Sequence, residues 1–225
     1  RSCWFTNKSS SNKIMLKLWG RKTSSNVQKI LWALEELGQP YEHEIVGGIY
    51  GGKDKKEYAS KTPTKLVPVL EDGDIALWES HSILRYLAKK FPESSIGIKD
   101  MRKEAEINCW IDFSSSAFQP AVIGLFWELV RTPSKQRSKE NEEKQYKALI
   151  SSSMIVSKQL ENRDFLLGNF TIADIALGTL MYRMRDVAPD LAKTEPLRSW
   201  YDKLQTRPGY TKFVTTSYEE LRAKD

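Results

Sequence analysis

An α/β domain over residues 15–92, joined by a linker at 93–100 to an all-helical domain over 101–225, is the architecture this 225-residue sequence predicts. Three observations carry it. Strand-like and helix-like apolar segments alternate between residues 16 and 46, an order that implies a parallel βαβ unit. Two further apolar runs flank Asp72-Gly73, a pair that favours positive φ between two strands and so a hairpin. Beyond Phe91-Pro92 no convincing strand pattern recurs, and the apolar residues fall at helical spacing.

The elements follow in order. A first strand is expected at 17–19, a first helix at 27–37 and a second strand at 41–46. Residues 47–52, rich in glycine, read as a mobile loop, and 53–59 as a short polar helix. The hairpin comes next, and its second strand runs into a helix over 80–90 that ends where proline and small polar residues follow a lysine-rich last turn. In the second half, 101–130 is helical with a kink expected at Pro120, and 134–162 is a second long helix with a solvent-facing first half. Thr171 and Asp174 have the spacing of a capping box, with Phe170 and Ile175 as its hydrophobic staple, and this motif is assigned to structure. Helices at 195–206 and 210–222 complete the chain.

Composition narrows the class. With 40% hydrophobic residues the chain can bury a full core, and no apolar run approaches the ~18 residues of a membrane span. Residues 1–14 are polar and serine-rich, lack the apolar stretch of a secretory signal, and read as a disordered extension. A soluble cytoplasmic protein is expected. Cys3 and Cys109 are too few for a disulfide framework, and Cys109, between apolar neighbours, is expected in the core. The net charge of +6 comes from lysines interspersed with acids. That pattern argues against nucleic acid and leaves at most a field that steers a small anion.

The chemistry sits where the hairpin meets the helix. At Glu79-Ser80, unpaired helix N–H groups, the Ser80 hydroxyl and the helix dipole would hold a carboxylate, while Glu79 would pair with an ammonium. Together they describe the α-amino-acid end of a ligand. Pro68 cannot donate to a ladder and belongs at an edge, a bulge or a cis turn, which leaves Val67 exposed to pair with a peptide lying alongside. A small peptide with a free amino-acid head fits both features.

These motifs carry a resemblance. The run Thr62-Pro63-Thr64-Lys65-Leu66-Val67-Pro68-Val69-Leu70, then Trp78-Glu79-Ser80, with Leu16-Lys17-Leu18-Trp19-Gly20 and the helix after Ser24 upstream, resembles the cytosolic glutathione transferases of the serine type, as found in bacteria. The resemblance extends from Met15 to the C-terminus. It implies a thioredoxin-like N-terminal domain, an all-helical C-terminal domain, glutathione as co-substrate and a homodimer. Lys65 stands where the family usually has glycine, and Leu66 replaces a side chain that often contacts glutathione.

A free thiol with a pKa of about 8.5 is only a few per cent thiolate at neutral pH, so such an enzyme must favour the anion. A hydroxyl just before the first helix does this by hydrogen bonding, helped by the helix dipole. The resemblance places Ser24 there, with Ser25 and Asn26 as substitutes if the loop is shifted by one residue; on position alone Ser24 or Ser25 reads as a helix cap. Lys53, Leu66, Val67, Pro68, Glu79 and Ser80 are the expected glutathione-binding set, Lys53 facing the glycine carboxylate. His81 reads as a helix-surface or interface residue. The second partner is a hydrophobic electrophile, with Trp110, Phe113, Ala117 and Phe213 as expected lining, and a glutathione-dependent peroxidase activity fits the same thiolate. The rival reading is a transferase-like scaffold for protein interaction without catalysis.

Overall fold

The computed structural model describes residues 15–224, so the expectations for residues 1–14 and Cys3 lie outside the described residues. Strands β1 (Leu16–Trp19), β2 (Tyr41–Glu44), β3 (Val69–Asp72) and β4 (Ile75–Trp78) form a mixed sheet in the order β2-β1-β3-β4. Helix α1 (Ser25–Leu37) carries the chain back so that β2 lies parallel to β1, Leu16 opposite Tyr41. On the other side of β1 the hairpin adds antiparallel, with Leu18 opposite Leu70 and Val69 opposite Trp78. Gly73, at φ 64, makes the expected turn. The expected strand before it is shortened at its start: the ladder begins at Val69, after Pro68, which has no N–H to give and is preceded by a cis Val67–Pro68 bond. Val67 is half-buried rather than exposed, its side chain packed against the core. In the loop after β2, Gly48–Tyr50 forms a 3-10 turn, and only Lys56–Ala59 of the expected short helix is helical, as α2.

Helix α1 is the hinge of the architecture. Val27, Ile30, Leu31, Trp32, Ala33 and Leu34 are all at most 1% exposed, since α1 packs against α3 (Ser80–Lys90) on one side and α7 (Ile172–Val187) on the other. Trp32 stacks edge-on to Tyr210 at 4.8 Å, and a Cβ on Gly209 would stand 2.6 Å from the Trp32 ring, so the chain approaches α1 closely there. Arg207 grips Glu36 with two hydrogen bonds of 2.7 and 2.6 Å. The second half of α1 is therefore fixed by residues near the other end of the sequence.

In the helical half, α4 (Met101–Phe113), a π-helical turn (Ser114–Phe118), α5 (Gln119–Phe126) and a second π-helical turn (Trp127–Arg131) run on without a break. Pro120 falls in the first turn of α5, just after the widened turn, where its missing N–H is tolerated. Cys109 is exposed, not core. Ile107 and Ile111, one turn apart, take the buried face, and Cys109 lies between them on the far side. Ser138 caps α6 (Lys139–Leu160), while Ser134–Gln136 forms a separate 3-10 turn ahead of it. The capping box at Thr171 and Asp174 starts α7 as expected. Two short helices follow, α8 (Pro189–Ala192) and α9 (Leu197–Gln205).

The last expected helix, 210–222, is broken into a π-helical turn (Tyr210–Val214) and a 3-10 turn (Glu219–Leu221). Tyr218 explains the break. Its ring is buried between Phe126 at 5.1 Å and Tyr182 at 5.7 Å, and its hydroxyl donates to Asp186 at 3.0 Å, which a straight helix from Tyr210 would not deliver. Among the described residues no helix is long and apolar enough to cross a membrane.

Candidate active site

The sheet ends and the start of α1 open into a cleft of about 250 Å³. Thr23, Ser24, Ser25 and Asn26 line it from the α1 start, with Lys53, Leu66 and Val67 from the loops before and after α2. A smaller cavity adjoins it, lined by Asn26, Thr64, Leu66, Val67, Pro68, Glu79 and Ser80. Asn26, Leu66 and Val67 belong to both, so all nine residues singled out in the sequence lie along one continuous groove.

Ser24 is the N-cap of α1, with extended backbone at φ −78 and ψ 122, yet its side chain makes no capping hydrogen bond. Its hydroxyl lines the groove uncommitted to the helix, beside the first-turn amides and the positive end of the dipole. The neighbouring Thr23 is held twice. Its hydroxyl donates to Glu220, and its carbonyl accepts from Arg183 at 2.7 Å. Asn26 accepts from Lys29 at 3.2 Å, so its amide is oriented from within the protein.

Lys29 is fully buried and also meets His81 at 3.0 Å and the Gln119 side chain. Burial, aided by the charge of Arg183 and opposed by Glu79, lowers its pKa to about 7. His81, expected at the helix surface or an interface, faces inward to Lys29. It is half-buried and tied to Lys29, and burial followed by the neighbouring Lys29 and Arg85 charges holds its imidazole far below the usual range.

At the second lobe of the groove, Glu79 is exposed and is the N-cap of α3 with φ 69, a left-handed conformation costly to a non-glycine residue, while Ser80 is 4% exposed. Lys65, in the glycine position of the resemblance, has φ 52, the backbone conformation that glycine takes without cost. The Tyr58 hydroxyl donates to the Leu66 carbonyl at 2.6 Å and braces the segment that leads to Val67.

The far wall differs from the expected one. Ile123, Phe126, Trp127, Arg131, Arg183 and Leu221 line the cleft, together with Arg21 from the loop after β1. Trp110, Phe113, Ala117 and Phe213 do not: Trp110 and Phe113 pair edge-on at 5.7 Å and, with Phe213, pack on the core instead. One signal for the true wall was present in the sequence, since Ile123, Trp127 and Arg131 recur at intervals of four. Nothing local announced Arg183.

Comparison with known proteins gives the family. A family profile described as "Glutathione S-transferase, N-terminal domain" matches residues 18–95. Glutathione S-transferase GstB of Escherichia coli (strain K12) is 32% identical over 203 residues, covering 89% of this chain and 98% of that protein. The chain belongs to the glutathione S-transferase family. Among solved structures, the theta class glutathione S-transferase of Xanthomonas axonopodis pv. citri, crystallised with glutathione bound, is 34% identical and aligns with a TM-score of 0.80 over 90% of this chain and 98% of that one. Glutathione transferase F2 of Populus trichocarpa, 23% identical with a TM-score of 0.81 over 88% of this chain and 97% of that one, shares the fold. The glutathione S-transferase fold of this chain is thus a thioredoxin-like domain followed by a helical domain.

Proposed function

We propose that this chain transfers the sulfur of glutathione to an electrophilic carbon, with Ser24 holding the thiolate. The observation that carries the reading is the Ser24 hydroxyl: it stands at the α1 N-terminus, lines the groove and is not consumed by the helix cap. Family membership and the glutathione-bound Xanthomonas relative support the ligand. In this reading the backbone of Val67 pairs with the cysteinyl part of glutathione, Glu79 and Ser80 take its amino-acid head, Pro68 and Leu66 shape the segment between, and Lys53 faces its glycine carboxylate.

A hydrogen bond from Ser24 and the first-turn amides of α1 stabilise the sulfur anion more than the thiol. Each unit of thiol pKa lowering corresponds to about 1.4 kcal/mol, within the reach of one hydroxyl donor and a helix N-terminus. The thiol proton passes to solvent. The thiolate then attacks the bound electrophile, the carbon–sulfur bond forms, and the leaving group departs with its electron pair. Holding both reactants in one groove supplies the rest of the acceleration. Ser25 and Asn26, in the same turn, are the substitutes.

Thiolate absorbance of glutathione at saturation, followed across pH in the wild type and in Ser24→Ala, tests the reading. A thiolate at neutral pH that disappears in the variant is the expected result. An unchanged thiolate moves the role to Ser25 or Asn26, and glutathione bound as thiol by the wild type favours the non-catalytic scaffold.

A further inference from the structure

We infer that the electrophile this site takes carries an acid group on an apolar body, with Arg131 and Arg21 as its anchor; the inference rests on the transferase reading above. Ile123, Trp127 and Arg131 follow at intervals of four along the continuous helical run and all line the cleft that Ser24 lines. The first two, with Phe126, offer an apolar wall. The third ends it with a charge.

Arg131 is poised as a donor. Its guanidinium carbon lies over the Trp127 ring, 3.8 Å from the centroid, and a guanidinium held on an aromatic face keeps N–H groups for a planar anion. Arg21 reaches the same cleft across Gly48, so closely that a Cβ there would stand 2.8 Å from Arg21 Cδ. Its Nε is buried and has no hydrogen-bond partner. A buried donor left unpaired is costly, and a ligand oxygen would satisfy it.

The electrostatics point the same way. Among the described residues no carboxylate forms an ion pair with Arg21, Lys53, Arg131 or Arg183, and no acid lines the cleft. Glu220 acts on Arg21 from nearby, but it already accepts from Thr23 and from Tyr50 at 3.3 Å. Burial, and then the charge of Arg21, pulls the Arg131 guanidinium down from its usual range. Cations gathered in a partly desolvated cleft repel one another, and a bound anion offsets that cost. Glutathione, as read above, uses Lys53. Arg183 spends its donors on Gln28 at 2.9 Å and on the Thr23 carbonyl. Arg131 and Arg21 are left for the second substrate, and a carboxylate is the group that matches an arginine edge.

A matched pair of acceptors tests this: 4-(bromomethyl)benzoate and its methyl ester. In both, the thiolate of glutathione forms a carbon–sulfur bond at the benzylic carbon while the carbon–bromine bond breaks and bromide leaves with the pair. The wild type is expected to show a kcat/KM for the acid that exceeds the ester's on the order of tenfold, the worth of one charge-assisted hydrogen bond, after correction for the uncatalysed rates. Arg131→Gln brings the ratio close to unity, Arg131→Lys recovers part of it, and Arg21→Gln narrows it. A merely structural loss would lower both rates and leave the ratio alone. Conjugation of the ester with no preference for the acid, or a preference that survives Arg131→Gln, overturns the anion anchor and leaves the transferase reading standing. Failure to conjugate either compound, with no thiolate formed, overturns both.

Discussion

Arg183 of α7 donates through Nη2 to the backbone carbonyl of Thr23, 2.7 Å away and 160 positions earlier in the chain. Its other terminal nitrogen donates to Gln28 at 2.9 Å, and its guanidinium lies 5.4 Å from the Phe126 ring and 5.3 Å from that of Tyr218. The residue is 1% exposed, and burial lowers its pKa to about 10, still charged at neutral pH. One helical-domain side chain therefore fixes the turn that presents Ser24. Arg183→Met would leave the Thr23 carbonyl without this donor. The expected outcome is a loss of about 2 kcal/mol in urea denaturation, and a fall in kcat on the order of tenfold with a smaller change in the KM for glutathione.

Lys29 makes stability depend on pH. Its folded pKa of about 7 lies below the 10.5 of an ordinary lysine because it is buried and faces the Arg183 charge, with Asn26, Gln119 and the neutral His81 as hydrogen-bond partners and Glu79 as the opposing charge. Between these values the unfolded chain binds the extra proton. Stability therefore rises with pH through that window, by up to about 1.4 kcal/mol per unit, and this contribution is lost as pH falls through 7. Lys29→Met should remove the slope. Denaturation midpoints of both proteins between about pH 7 and pH 9.5 would check it, and parallel curves would refute it.

Asp174 has more to hold than its capping box. Its carboxylate accepts from the N–H groups of Leu166 at 3.0 Å and Thr171 at 2.9 Å and from Trp200 Nε1 at 3.1 Å, all buried. Asp174→Ala strands these donors and should cost about 3 kcal/mol or more, beyond the roughly 1 kcal/mol of a helix cap alone. Asp174→Asn, which keeps one acceptor oxygen, should fall between. Thermal denaturation reads both.

Lys65 pays for the conformation of its loop. At φ 52 its backbone is strained for a residue with a Cβ, and its ion pair with Asp54 at 2.9 Å joins two exposed groups that contribute little. Lys65→Gly should stabilise the protein by up to about 1 kcal/mol, the relief of strain exceeding the entropy gained by the unfolded chain. Lys65→Ala, which keeps the Cβ, should not.

What could be read in advance was local. The Asp72-Gly73 turn, the Ser80–Lys90 helix and the box at Thr171 and Asp174 stand where the sequence put them, because each depends on neighbours within a few positions. Tyr218 shows the opposite case: helical spacing extended the last helix through it, and burial against Phe126 and Tyr182 bent the chain instead. Trp110 and Phe113 fell on an apolar stripe that gave no sign of which apolar residues meet each other and which meet the cleft.

By itself the sequence determined the order of strands and helices from β1 to α3, the α1 turn that carries Ser24 and the Glu79-Ser80 helix start, since turn chemistry and side-chain period act over short spans of chain. Tertiary structure alone decided that Arg183 holds Thr23, that Lys29 is buried between three elements, and that Arg21 and Arg131 share a cleft in which, among the described residues, no carboxylate forms an ion pair with them. The physical reason is range: these cations owe their environment to groups far away in sequence, and burial, which sets both their charge state and their need for a partner, exists only once the helices have packed.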